Sequence, residues 1–156
     1  MTGRAWIGYK ECKKYMKLRE NNGHIATPAS FLSTGWFWWH WIPVVAYAGF
    51  IFYLSSWSAL PGPTIWLLRL IGDKGLHAVE YGILGVLCYR AFRFAAGPRA
   101  ARSALLLAVL VSTGYGVTDE IHQAFVPLRE PSPWDVLADG AGASVVSWLW
   151  HRFVEP

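Results

Sequence analysis

Residues 102–123 read RSALLLAVLVSTGYGVTDEIHQ, and this stretch decides the fold. It is about as long as the roughly 20 residues that a helix needs to cross the hydrocarbon core of a bilayer. The apolar run ends in two carboxylates, an imidazole and an amide, which belong to Asp119, Glu120, His122 and Gln123. Ionisable groups at this depth are costly to keep and usually mark a working site. The stretch therefore predicts a membrane-spanning helix that ends in functional residues.

The composition of the whole chain agrees with residence in a membrane. Of the 156 residues, 54% are hydrophobic and only 15% are charged, which lies outside the usual composition of soluble domains. Ten tryptophans point the same way, because indole rings favour the interface between water and lipid. Cys12 lies in a basic segment and Cys88 in an apolar run, so neither a disulfide nor a metal-binding cysteine pair is expected.

Further apolar runs predict three more spans. The four predicted spans cover about residues 35–57, 73–94, 102–123 and 134–153. The segment 65–71 is apolar but too short to cross, and it fits a short interfacial helix between the first two spans. Residues 1–34 are polar and basic and are expected to form a cytoplasmic tail. The predicted fold is an all-α membrane protein in which residues 35–156 form a bundle of four transmembrane helices.

The distribution of positive charge predicts the orientation, because basic residues concentrate on the cytoplasmic side. With both termini inside, all but three of the 14 lysines and arginines lie on that side. The three outside are Arg69, Lys74 and Arg129. The net charge of +4 is thus a consequence of N-in, C-in topology, and no nucleic-acid partner is expected.

This topology brings polar groups from three spans to the outer side. The second span begins with Asp73, Lys74, His77 and Glu80, and the fourth begins with Asp135 and Asp139. At 3.6 residues per turn, Asp73, His77 and Glu80 share one face of a helix. The third span presents Tyr115, Asp119 and His122 on one side, with Gln123 close by and Glu120 further round. We expect these faces to line a common outer pocket of the bundle.

Two chemistries suit this set of side chains. The first is general acid–base catalysis by His77, His122, Glu80 or Glu120. The second is a divalent metal held by histidine and carboxylate groups. The candidate catalytic residues are His77, Glu80, Asp119 and Glu120. The candidate binding residues are Asp73, Lys74, Tyr115, His122, Gln123, Arg129, Asp135 and Asp139.

Purely structural roles remain open for the same residues. Asp73 and Asp135 lie near helix starts and can serve as caps or dipole partners. His77 and Glu80 can bond to each other or to Asp119 and so hold the bundle together. Lys74 can pair with Asp73 or Glu120. Arg129 fits an ion pair or a phosphate contact.

The chain resembles the VanZ-like family of small bacterial membrane proteins over roughly residues 41–150. The matching marks are Ser55-Ser56, Asp73-Lys74-x-x-His77 with Tyr81, and the block from Tyr115 to Gly142, which begins Tyr-Gly-x-x-Asp-Glu. In two places the chain departs from the family pattern. Leu128 stands where the family often has glycine, and Asp139 stands where asparagine is usual. This extra carboxylate is expected to be protonated or paired.

The resemblance implies a multi-pass protein of the bacterial cytoplasmic membrane and cell envelope. The family's namesake is associated with resistance to teicoplanin, a glycopeptide that carries a lipid tail. Besides the lipid bilayer as a partner, we hypothesise a membrane-embedded enzyme or binding site for a lipid-linked or amphiphilic molecule in the outer leaflet, with Lys74 and Arg129 holding an anionic head group. The alternative is a non-catalytic membrane factor whose polar network only locks the helices. The resemblance implies neither a reaction nor an oligomeric state.

Overall fold

The computed structural model describes residues 34–58 and 62–155, with side chains for residues 35–58 and 71–155. The predicted tail, residues 1–34, lies outside the described residues except for Thr34. Within the described ranges the chain is helical and has no strand, which confirms the all-α prediction. The contacts group residues 32–156 into one unit.

The described residues form five α-helices, four of which follow the apolar runs of the sequence. They are α1 (Thr34–Ser55), α2 (Gly62–Ala95), α3 (Gly97–Arg102), α4 (Ala104–Gln123) and α5 (Pro133–Leu149). The last helix continues into a π-helical turn at Trp150–Val154. Ser132 caps the start of α5, because its hydroxyl accepts from the backbone N–H of Trp134 at 3.3 Å.

Gly72 divides α2 into two helical arms. Its backbone has φ 74° and ψ 169°, a conformation that is essentially restricted to glycine. The first arm, residues 62–71, contains the short apolar segment of the sequence. The second arm, residues 73–95, begins with the polar cluster at Asp73. The break therefore separates the two elements that the sequence distinguishes, while the interfacial position of the first arm stays a prediction.

The second arm of α2 is the centre of the packing and contacts α1, α4 and α5. It packs tightly against α5 at Gly142, where a Cβ atom would overlap the backbone carbonyl of Ala78. A Cβ on Gly85 would lie 2.9 Å from the Cα of Ala143. Glycines thus let the two backbones approach closely, as small residues do between helices in lipid.

Long helices that follow one another along the chain run in opposite directions, so α2 and α5 run parallel, and the bundle has two distinct ends. At one end, the indole N–H of Trp36 donates to the carbonyl of Phe94 at 2.9 Å, and Arg93 Nε donates to Glu155 Oε1 at 2.6 Å. At the other end, the last turn of α1, the first turns of the second arm of α2 and of α5, and the last turn of α4 meet. We call this second end the polar end.

Two of the described helices are long and apolar enough to cross a membrane by length and composition, Gly35–Ser55 and Ala104–Gln123. The second arm of α2 is more highly charged, with Asp73, Lys74, Glu80, Arg90 and Arg93. Helix α5 has only 17 residues. The structure and the apolar helices thus indicate a membrane protein, whereas four crossings with both termini inside stay a prediction.

Candidate functional site

His77 and Asp139 form the buried pair at the centre of the polar end. His77 Nδ1 lies 3.0 Å from Asp139 Oδ1, and both residues are buried. If Asp139 is ionised, its carboxylate can only accept, so that His77 Nδ1 donates and Nε2 is left for another group. The ring of His77 also lies parallel to that of Tyr81, with centroids 6.3 Å apart. Asp139 is therefore paired, one of the two states that the sequence left open.

Gly116 makes room for the Asp139 carboxylate. A Cβ atom at Gly116 would overlap Asp139 Oδ2 and lie 3.1 Å from its Cγ. Asp139 Oδ2 has no hydrogen-bond partner among the described residues. Sequence reasoning did not select Gly116 as a site residue, although the Tyr-Gly pair in the family block was the available signal.

Lys74 and Asp135 form a second contact between α2 and α5. Lys74 Nζ donates to Asp135 Oδ1 at 2.6 Å. Asp135 is buried, whereas the Lys74 side chain is 56% exposed. The sequence suggested Asp73 or Glu120 as the partner of Lys74, and the structure gives Asp135 instead. The ammonium group at the end of the flexible, exposed Lys74 side chain thus forms an ion pair with a buried carboxylate.

Asp119 and Glu120 of α4 are buried, and each accepts a hydrogen bond from the described residues with only one of its two carboxylate oxygens. Asp119 Oδ2 accepts from Gln123 Nε2 at 3.0 Å, and Glu120 Oε2 accepts from the backbone N–H of Ser132 at 2.6 Å. The remaining oxygens, Asp119 Oδ1 and Glu120 Oε1, are buried without a partner in the described structure. The Glu120 contact ties the end of α4 to the start of α5, where a negative charge is favourable.

A small cavity lies between α1, α2 and α4 at the polar end. Its polar lining consists of Ser55, Asp73, His77, Glu80, Asp119, Gln123 and Arg129. Its volume of about 20 Å³ holds about one water molecule or ion. Glu80 makes no hydrogen bond or ion pair with the described residues. Polar residues of the second and of the third predicted span therefore face one common space.

Arg129 reaches the cavity but bonds to the end of α1. Its Nε donates to the carbonyl of Trp57 at 3.1 Å, and its Nη2 lies 3.5 Å from the carbonyl of Leu54. The last carbonyls of a helix lack partners within the helix, and a cation there also complements the helix dipole. Arg129 thus joins the loop after α4 to α1, a role that the sequence did not indicate.

His122 and Tyr115 face α1 and do not line the cavity. His122 Nε2 lies 3.0 Å from Ser56 Oγ, and its ring stacks on Phe52 with centroids 4.3 Å apart. The Tyr115 hydroxyl donates to the carbonyl of Ala48 at 2.7 Å. The structure therefore places these two candidate binding residues in the packing between α1 and α4.

Leu128 occupies a backbone conformation that suits glycine. Its φ of 65° is in the left-handed region, which costs roughly 1–2 kcal/mol for an ordinary L-residue. Its side chain is exposed, so packing does not offset this strain. This is the position at which the family resemblance expects glycine, and the backbone explains that preference.

Asp73, His77 and Asp135 are the residues that could hold a metal ion. One donor atom from each lies within 4.8 Å of the other two. His77 and Asp135 are buried, while Asp73 is exposed and follows the break at Gly72. The set thus combines one imidazole with two carboxylates from two helices.

Comparison with known proteins agrees with the family motifs. The family model described as VanZ/LLP1 matches residues 13–154, which include the whole polar end. No curated protein and no solved structure matches the chain. With the marks at Ser55-Ser56, at Asp73 to Tyr81 and from Tyr115 to Gly142 all inside the matched range, the chain belongs to the VanZ/LLP1 family.

Proposed function

We propose that this protein crosses the bacterial cytoplasmic membrane four times and binds the head group of a lipid-linked or amphiphilic envelope molecule at its polar end. The observation that carries the proposal is the set of unpaired carboxylate oxygens at this end. Beside the cavity, Asp119 Oδ1 is buried without a partner among the described residues, and the half-buried Glu80 makes no hydrogen bond or ion pair with them. A buried polar atom without a partner costs roughly 1–3 kcal/mol, and a bound polar group would remove that cost.

Helix lengths support four crossings. At 1.5 Å per residue, the second arm of α2 is about 34 Å long, and α5 with its π-helical turn is about 33 Å long. Both exceed the roughly 30 Å of a hydrocarbon core. The charges of α2 lie near its ends, except for Glu80, which faces the cavity. Large apolar side chains such as Ile83 on α2 and Val145 on α5 are exposed, as lipid-facing residues would be.

The charge balance of the cavity favours a cationic or hydrogen-bond-donating part of the head group. Asp73, Glu80 and Asp119 supply three carboxylates to its wall. The guanidinium of Arg129 donates to the carbonyl of Trp57, just after α1, and the ammonium of Lys74 donates to Asp135. Direct capture of an anionic head group by these two cations, which the sequence suggested, is therefore not favoured by their contacts.

Glu80→Gln tests the proposal, because it replaces a carboxyl group of the cavity wall with an amide without breaking a hydrogen bond of the described structure. The probe is teicoplanin added to vesicles that contain the protein, with protein-free vesicles as the background. We expect saturable binding by the original protein and at least roughly 10-fold weaker binding by Glu80→Gln, equivalent to about 1.4 kcal/mol. Teicoplanin without its acyl chain should bind less.

Glu130→Gln is the matched control, since Glu130 is an exposed carboxylate of the α4–α5 loop that does not line the cavity. The Glu130→Gln variant should bind teicoplanin as tightly as the original protein does. The proposal is wrong if protein-containing vesicles bind no more teicoplanin than empty ones. It is also wrong if Glu80→Gln and Glu130→Gln bind equally well.

A second candidate function is a non-catalytic membrane factor whose polar end only locks the helices. The contacts of His77 with Asp139, Lys74 with Asp135, and Glu120 with Ser132 favour it, because each joins separate segments. Breaking a buried ion pair from one side costs roughly 3–5 kcal/mol. This function therefore predicts that His77→Ala lowers stability and abundance, whereas Glu80→Gln changes neither binding nor stability.

A further inference from the structure

We propose that Asp73, His77 and Asp135 form a binding site for a divalent transition-metal cation at the polar end. One donor atom of each residue lies within 4.8 Å of the others. Two carboxylates and one neutral imidazole balance the charge of one divalent cation. This inference concerns the metal ion alone and does not depend on binding of an amphiphile.

The spacing of the three donors fits a metal after a small contraction. Bonds of about 2.1 Å hold neighbouring ligand atoms about 3–4 Å apart. The three donor atoms therefore need to approach each other by about 1 Å. Asp73 has the freedom to do so, because it is exposed and directly follows the helix break at Gly72. Water can take the remaining coordination positions.

The contact between His77 and Asp139 prepares the imidazole for a metal. Metal-binding histidines commonly donate their other ring N–H to a carboxylate, which fixes the tautomer and the ring orientation. Asp139 accepts from His77 Nδ1 at 3.0 Å, so Nε2 is the nitrogen left for a ligand. Asp139 is itself fully buried beside Gly116 and does not move freely. It is therefore a positioning residue in this proposal.

Two independent features of the surroundings point to a cation. Asp119 is 4% exposed, and its Oδ1 has no partner among the described residues although it belongs to the same cavity wall as Asp73 and His77. In addition, Asp135 already binds one cation, since Lys74 Nζ lies 2.6 Å from Asp135 Oδ1. Because the Lys74 stem is largely exposed, its charge can move into solvent when a metal takes Asp135.

The donor set favours some metals over others. An imidazole nitrogen suits zinc, iron, nickel and copper, whereas magnesium and calcium prefer oxygen ligands alone. One nitrogen and two carboxylate oxygens are therefore best matched by Zn²⁺ or a related transition-metal ion such as Mn²⁺. We expect Mg²⁺ to bind much more weakly than Zn²⁺.

The test is a titration of the purified, metal-free full-length protein in detergent with Zn²⁺ in the presence of a competing chromophoric chelator. We expect the Asp73→Asn and Asp135→Asn variants to lose more affinity than the roughly 10–100-fold that loss of an outer hydrogen-bond partner costs. Asp139→Asn should lose roughly 10–100-fold. Lys74→Met should bind Zn²⁺ more tightly than the original protein, because it removes the competing cation.

The Lys74→Met result separates a metal site from a structural network, since loss of a structural ion pair would not increase Zn²⁺ affinity. Glu130→Gln is the control and should bind as the original protein does. Asp73→Asn keeps the proposal testable because Asp73 is exposed, and thermal unfolding checks that the variant is folded. Absence of Zn²⁺ binding by the folded original protein would overturn the inference. Unchanged affinity in folded Asp73→Asn would also overturn it, as Zn²⁺ would then be bound elsewhere.

Discussion

At the scale of single residues, the structure of the polar end depends on glycines, which have no side chain, as much as on functional groups. Asp139 can hold His77 because Gly116 leaves space beside its carboxylate. Gly114, on the same helix α4 as Gly116, is in open space, since a Cβ atom there would meet nothing within 4 Å among the described residues. Two glycines separated by one residue therefore have different roles, and this difference is open to a direct test.

Gly116→Ala should destabilise the protein by roughly 1–3 kcal/mol, because the added methyl group overpacks the Asp139 carboxylate. The measurement is thermal unfolding in detergent. Gly114→Ala is the matched control and should be neutral or stabilising by up to about 1 kcal/mol, as alanine favours a helix. A Gly116→Ala variant as stable as Gly114→Ala would contradict this assignment.

The destabilisation should also depend on Asp139. In an Asp139→Ala background, the Gly116→Ala substitution should destabilise the protein much less, because the effects of substitutions at contacting residues are not additive. The double-mutant cycle measures this coupling in the same unfolding assay. Equal effects of Gly116→Ala with and without Asp139 would place the strain elsewhere.

The sequence predicts which polar residues lie at the polar end better than it predicts the residues that they contact. Helical periodicity correctly indicates that His77 and Glu80 share a face, and both line the cavity. Periodicity does not indicate which helix a side chain meets, so His122 was expected in the pocket but packs on Phe52. The bond from Arg129 to the carbonyl of Trp57 was missed for a related reason, because a loop conformation sets it.

At the scale of elements, the break at Gly72 determines where the second arm of α2 begins. The arm starts at Asp73 and brings Lys74 and His77 to α5. Among the described residues, a Cβ atom at Gly72 would meet nothing within 4 Å, whereas the backbone conformation there requires glycine. The helix break at Gly72 therefore positions Asp73, Lys74 and His77 through its backbone conformation.

Gly72→Ala should destabilise the protein by roughly 1–3 kcal/mol through backbone strain alone. Thermal unfolding in detergent measures the effect. Gly49→Ala is the control, since Gly49 lies inside α1 with open space around it and an ordinary helical backbone. If Gly72→Ala were as stable as Gly49→Ala, the helix break would be absent from the protein in detergent.

The sequence was a good guide to the elements for a physical reason. Long apolar runs bounded by polar or Gly-Pro segments have few alternatives to helix, so α1 begins within one residue of the expected position and α4 ends at Gln123. The short α3 at Gly97–Arg102 and the π-helical turn after α5 were not predicted. Both depend on local backbone geometry, which hydrophobic periodicity does not encode.

At the scale of the whole molecule, alternating helix directions collect the polar residues at one end. The last turn of α4 and the first turn of the second arm of α2 meet there, so Asp119 and Asp73 line the same cavity. The all-α fold and the family are confirmed by the structure and the family match. The four crossings and the outward direction of the polar end stay predictions, and the account depends on that direction.

Labelling of single cysteines in intact cells tests this direction most directly. Phe125 is 83% exposed in the loop at the polar end, and Ser103 is exposed between α3 and α4 at the opposite end. Both substitutions, Phe125→Cys and Ser103→Cys, are made with Cys12 replaced by serine, while Cys88 is buried and stays. A membrane-impermeant maleimide should label Phe125→Cys in intact cells and Ser103→Cys only after the cells are opened. Labelling of Ser103→Cys but not Phe125→Cys in intact cells would contradict the account.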